Sequence, residues 1–150
     1  MEKFLKAKLK NGRFENVSAD RSKIMSCIPG RRNRSTEIAL RFEFVRAGIR
    51  GWKMHFGIAG RPDFFFPKQS LAVFVDGCFW HGCPRCGHIP KTRTPFWAAK
   101  IMRNQKRDGA NLRLLRSQGI RVVRFWEHTL ASPSGRRHAV EHVRALLKAS

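Results

Sequence analysis

The chain has 150 residues, the size of one domain with a single core. It carries 31 Lys and Arg against 10 Asp and Glu, a net charge of +21. That excess points to a polyanion, nucleic acid above all, as the partner, with binding that weakens steeply in salt; a basic protein resting on a ribosome or an acidic membrane is the alternative. No apolar run comes near the ~20 residues of a membrane span. The opening MEKFLKAKLKNGRF lacks the apolar stretch of a signal peptide. The expectation is therefore a cytoplasmic, nucleoid-associated protein of bacterial type with no membrane contact and with reduced thiols.

Residues 1–34 are polar and basic and end in Pro29-Gly30-Arg31-Arg32-Asn33-Arg34. They read as an arm, with a short helix near Arg21–Cys27 laying Arg21 and Lys23 on nucleic acid, or as a disordered basic tail. A single domain is expected over 35–150. Ser35 suits an N-cap with Glu37 in the first turn. Ile38, Phe42 and Val45 then recur at helical spacing, and Gly48 ends the helix. Strands are expected at 51–56, 62–66 and 71–76, the last two joined through Lys68-Gln69-Ser70 as a hairpin. Thr94 as cap and Pro95 in the first turn open a long helix with apolar positions at Phe96, Ile101, Leu112 and Leu115; Gly119 stops it. Residues 120–126, IRVVRFW, read as a buried strand, and a final helix covers 136–148. The order α-β-β-β-α-β-α describes an α/β protein with one mixed β-sheet flanked by helices.

The stretch Gly77–Pro90, GCFWHGCPRCGHIP, holds most of the distinctive chemistry. Cys78, Cys83 and Cys86 supply three thiolates, and structural zinc takes a closed tetrahedron of thiolate and imidazole. One ligand is missing locally. His81 and His88 in the loop and His128 after the strand 120–126 are the candidates; His128 would clip the loop onto the sheet. Free buried thiols are the alternative reading. Cys27 reads as an ordinary buried cysteine.

Phosphodiester hydrolysis needs a hard cation on carboxylate oxygens and a proton acceptor near the attacking water. Asp63 opens one strand and Asp76 ends the next, so a hairpin would bring both to one end of the sheet. Glu37 and His81 could join them there. Each also has a plainer reading: Asp63 caps a turn after Pro62, Glu37 serves the helix dipole, and His81 ligates zinc. Phe79 and Trp80, with Trp97 at the start of the next helix, read as wedges that unstack a base step or as a small satellite core over the zinc.

Taken in order, GRPDF, FVDGCFWHGCP, TRTPFW, KIMRNQKRD and GIRVVRFWEH, with RSKIM near the N-terminus, resemble the very-short-patch-repair (Vsr) DNA mismatch endonucleases over most of the chain. The resemblance implies a restriction-endonuclease-like core of the PD-(D/E)XK superfamily with a structural zinc loop. It implies an enzyme that uses magnesium to nick one strand of duplex DNA beside the thymine of a T:G mismatch, the product of 5-methylcytosine deamination. By position, Asp63 matches the metal-binding aspartate, His81 the general base, Glu37 an acid of the N-terminal helix near the site, and Asp108 an acid that orients the histidine. Phe79, Trp80 and Trp97 match the aromatics that enter DNA. Cys78, Cys83, Cys86 and His128 match the zinc positions, which selects His128 among the three candidates. A monomer is implied, with repair proteins as possible further partners.

Two departures stand out. Asp76 occupies a position where some members have histidine next to a threonine that helps hold metal. Here the neighbour is Val75, which offers only a carbonyl, whereas Asp76 could bind magnesium directly. The zinc loop, with Cys86, also has its own mixture and spacing. A restriction-type endonuclease of the same fold and a non-catalytic zinc DNA-binding module are the alternatives. Mismatch dependence separates the first, and binding without nicking the second.

Overall fold

The computed structural model describes residues 36–149 and two short strands before them, β1 (Leu9–Lys10) and β2 (Arg13–Phe14), which pair antiparallel. The expected helix over 21–27, Arg21, Lys23, Cys27 and the Ser35 cap lie outside the described residues. The elements that follow are α1 (Thr36–Arg46), β3 (Lys53–Met54), β4 (Phe64–Phe66), β5 (Leu71–Asp76), α2 (Thr94–Ser117), β6 (Arg121–Trp126), α3 (Glu127–Ala131) and α4 (Pro133–Lys148). Among the described residues, no helix is long and apolar enough to cross a membrane.

Strands β3 to β6 form one four-stranded sheet in that spatial order. β3–β4 and β4–β5 pair antiparallel, and β5–β6 pair parallel, so the sheet is mixed. The expected hairpin is present, with Phe64 opposite Val73 and Phe66 opposite Leu71. A parallel neighbour requires a crossover, and α2 supplies it between β5 and β6. Gly119 ends α2 at φ 74°, its amide bonded to the Arg116 carbonyl, as the glycine predicts.

The core lies between one face of the sheet and the helices α1, α3 and α4. It contains Leu40 and Phe44, the strand residues Phe64, Phe66, Leu71, Val73 and Phe125, then Leu130, Val140 and Val143. Phe44 meets Phe64 and Phe66 edge to face at centroid distances of 5.0 and 6.1 Å. All three phenylalanines of β4 are buried because both faces of the strand are covered: Phe65, pointing the other way, stacks on Phe56 at 4.9 Å.

Several sequence expectations change. In α1 the buried positions are Thr36, Glu37, Leu40 and Phe44, whereas Phe42 and Val45 are 63% and 61% exposed. Apolar residues occupy both sides of this helix, so spacing alone does not choose a face; the aromatic wall of β4 does. Strand β3 is two residues, not the six of 51–56, because Gly51 and His55 both adopt positive φ. Thr94 is the first helical residue of α2 rather than its cap: Arg93 is the N-cap, and the threonine hydroxyl donates to the Pro90 and Lys91 carbonyls. β6 is largely half-buried, with only Phe125 fully inside. The last helix starts three residues early, at Pro133 after a Ser132 cap that accepts the Gly135 amide. The short helix α3 follows β6 directly, where the sequence pattern predicts no element.

Candidate active site

The parallel register sets one end of the site. Asp76 lies opposite Trp126, so Cys78 and His128 each follow two residues beyond paired strand ends. His128 Nδ1 is 3.2 Å from Cys78 Sγ, 3.6 Å from Cys83 Sγ and 3.4 Å from Cys86 Sγ. A tetrahedral zinc with ordinary bond lengths places N and S ligands about 3.5 Å apart. The four side chains therefore converge as a zinc site requires. The other two loop histidines are elsewhere: His81 faces Asp108, and His88 packs beside the Phe79 ring. The Cys78 amide donates to Glu127 Oε2 at 3.2 Å, a second tie between the strand ends.

The loop also rests on α2. Asn104 Nδ2 donates to the Trp80 carbonyl at 2.9 Å, and Gln105 Nε2 to the His81 carbonyl at 3.3 Å. Gly82 adopts φ 63°, and a Cβ there would stand 2.5 Å from Gln105 Nε2 and 2.8 Å from Ile101 Cγ2. The left-handed turn that follows His81 thus needs glycine on two counts.

Near the start of β4, Glu37, His55 and Asp63 bring one potential ligand atom each within 4.8 Å of the others. Glu37 is buried on α1 and sits 3.1 Å from His55 Nε2. His55 holds φ 50°, uncommon for a residue with a side chain, and its amide bonds to the Asp63 carbonyl at 3.4 Å. Asp63 Oδ2 accepts the Val75 amide at 2.6 Å. Burial pushes the Asp63 carboxyl up to about 6; the Val75 hydrogen bond opposes this and the Glu37 charge adds to it. Two acids and an imidazole gathered this closely, one of them destabilised as an anion, fit a divalent cation.

Asp76 stands apart from that group. Arg124 Nε donates to its Oδ2 at 2.5 Å and Nη2 to its Oδ1 at 2.8 Å, a two-pronged pair with a buried carboxylate. The expectation that Asp76 turns to the cation beside Asp63 is thus not how the side chain is arranged, although its charge is felt at Asp63. Arg124 Nη2 is also 3.3 Å from Asp108 Oδ2. That same oxygen lies 2.5 Å from His81 Nδ1, while Asp76 Oδ1 is 3.9 Å from it. Burial would raise the Asp108 carboxyl; the His81 hydrogen bond and the charges of His81, Arg124 and Arg107 outweigh it and hold the group below its usual value.

Phe79, Trp80 and Trp97 form one half-exposed cluster. Phe79 is 4.9 Å from Trp80 and 5.3 Å from Trp97, edge to face. Lys100 Nζ stands over Trp80 at 4.9 Å and over Trp97 at 5.6 Å. Aromatic surface with a cation at its rim suits stacked bases and phosphates together.

His55, Arg124, Asn104 and Gln105 went unrecognised in the sequence. Arg124 carried a signal: it is the charged residue between the apolar Val123 and Phe125 of a strand. Asn104 and Gln105 lie within the KIMRNQKRD motif, and His55 had no signal.

The family described as DNA mismatch endonuclease Vsr matches residues 16–86. The chain is 35% identical over 146 residues to the Type II nicking enzyme V.NaeI of Lentzea aerocolonigenes, covering 91% of this chain and 82% of that one. It is 40% identical over 107 residues to the Type II nicking enzyme V.NmeDIP of Neisseria meningitidis serogroup C, covering 68% and 72%. It is 35% identical over 114 residues to the DNA mismatch endonuclease Vsr of Escherichia coli (strain K12), covering 75% and 72%.

Proposed function

Since the chain belongs to the Vsr family of DNA mismatch endonucleases and is a nuclease, we propose that it nicks one strand of duplex DNA at T:G mismatches, with magnesium as cofactor. The observation that carries the hydrolytic part of this reading is the contact between His81 Nδ1 and Asp108 Oδ2. It occupies one ring nitrogen and leaves Nε2 to accept a proton, as a histidine base must.

Asp63 and Glu37 supply the carboxylate oxygens to hold magnesium, with His55 beside them against Glu37. Once bound, it supplies positive charge against the negative charge that builds on the phosphoryl oxygens. The protein's own groups do the rest. His81 Nε2 accepts the proton of the attacking water, and Asp108 keeps the ring oriented and stabilises it once charged. Cys78, Cys83, Cys86 and His128 hold zinc, which cross-links the loop bearing Phe79, Trp80 and His81 to the end of β6. Phe79, Trp80 and Trp97 enter a weakened base step, where a mismatch unstacks at lower cost than a matched pair. The basic surface supplies affinity without reading sequence.

Relatives named as type II nicking enzymes favour a second reading, in which nicking is confined to a particular flanking sequence. Assaying T:G duplexes with randomised flanks, each beside its T:A counterpart, tests both. Nicking of every T:G duplex supports mismatch recognition alone. Nicking of a flank-defined subset supports site-restricted mismatch cutting. Cutting of T:A duplexes at one sequence contradicts the mismatch reading.

A further inference from the structure

Arg124 occupies the middle of β6, where Val123 and Phe125 turn to the core side and the arginine projects toward α2. Its guanidinium joins three elements. It grips both oxygens of Asp76 on β5, at 2.5 and 2.8 Å, and reaches Asp108 on α2 at 3.3 Å. Its Cζ lies 5.5 Å from the centre of the Phe74 ring, so the plane of the fork is supported from one side. The oxygen of Asp108 that it touches is the one in contact with His81 Nδ1.

We propose that Arg124 is a positioning residue for strand cleavage, acting through Asp108 on His81. Asp108 is anchored to the sheet through Arg124, which is itself fixed by two bonds to Asp76. The carboxylate is thereby held where it orients the imidazole with Nε2 free. The geometry demands arginine: a lysine offers a point charge and cannot satisfy the two oxygens of Asp76 and one of Asp108 in a single plane. This assignment also gives Asp76 a role, as the anchor of Arg124. It rests on the reading of His81 as proton acceptor.

The test is a pair of double-mutant cycles on the duplex that wild type nicks, measuring single-turnover rate and DNA affinity separately. Arg124→Met should slow nicking by about 10- to 100-fold while DNA affinity stays near wild type. Arg124→Lys should recover little of the rate. In an Asp108→Asn background, Arg124→Met should have almost no further effect. In an Asp76→Asn background, where the amide oxygen still accepts one Arg124 bond and no buried carboxylate is left unpaired, Arg124→Met should still slow nicking, by less than in wild type. A loss undiminished beside Asp108→Asn, or abolished beside Asp76→Asn, overturns the proposal; the second result would make Arg124 a mere partner of Asp76. His81→Ala separates the two layers of the argument. Full activity in that variant removes the reading of His81 itself. An inactive His81→Ala with a fully active Arg124→Met removes only the role of Arg124.

Discussion

Cys78 and His128 stand opposite each other just past the ends of two adjacent parallel strands, with Sγ and Nδ1 3.2 Å apart. Register makes this possible: the pairing of Asp76 with Trp126 carries both ligands to the same edge of the sheet. A metal held by Cys78, Cys83, Cys86 and His128 would fix the loop that carries His81. Removing it by chelation, or replacing Cys83 with Ala, should lower the melting temperature by many degrees and abolish nicking, because ligand binding energy is folding energy in such a loop. Metal analysis should find one zinc per chain in the wild type. Full stability and activity after complete zinc removal would contradict the assignment.

Asp108→Asn should reduce the nicking rate by at least about 100-fold with little change in DNA affinity. The amide cannot stabilise a charged imidazole as the carboxylate does. A fall in affinity with an unchanged single-turnover rate would instead place Asp108 in DNA binding.

Asp63 couples activity to pH and to stability in opposite senses. Its carboxyl is raised in the folded chain from 3.8 to about 6. Without metal, the group therefore contributes stability that is fully present below pH 3.8 and lost as pH rises through about 6. The loss is on the order of 3 kcal/mol at neutral pH. Asp63→Asn should thus melt higher than wild type at pH 8 in chelator, yet fail to nick. Magnesium should stabilise the wild type and not the variant, and the stabilisation should fade as pH falls below about 6. A variant no more stable than wild type at pH 8 would show that burial does not penalise the anion.

Trp97→Ala should weaken binding to a mismatched duplex by about 1–3 kcal/mol, the usual worth of one aromatic–base contact. Binding to the matched duplex should fall less, since stacking requires an opened step. Equal losses on both duplexes would place Trp97 in general contact rather than in recognition of the lesion.

Much of this was legible in the chain because the informative residues are close in sequence or lie at strand ends. The hairpin of β4 and β5 brings Asp63 and Asp76 to one end of the sheet, as their placement beside two apolar runs implies. Three of the four candidate zinc ligands, Cys78, Cys83 and Cys86, fall within one loop. What escaped depends on side-chain direction across elements. Asp76 looked like a cation ligand because nothing in sequence links it to Arg124, 48 residues on. His55 joins Glu37 and Asp63 only because the chain leaves β3 in a left-handed conformation, ending the strand where the apolar pattern would continue it. Phe42 and Val45 show the same limit in the core: α1 is apolar on two sides, and its partner decides which is buried.

The most direct measurement is strand nicking of two duplexes that differ only in one pair, T:G or T:A, with magnesium or with EDTA, and with Asp63→Ala beside wild type. The account predicts cutting of the thymine strand in the T:G duplex alone, lost in EDTA and lost in the variant. Equal cutting of both duplexes, or cutting that survives Asp63→Ala, would contradict it.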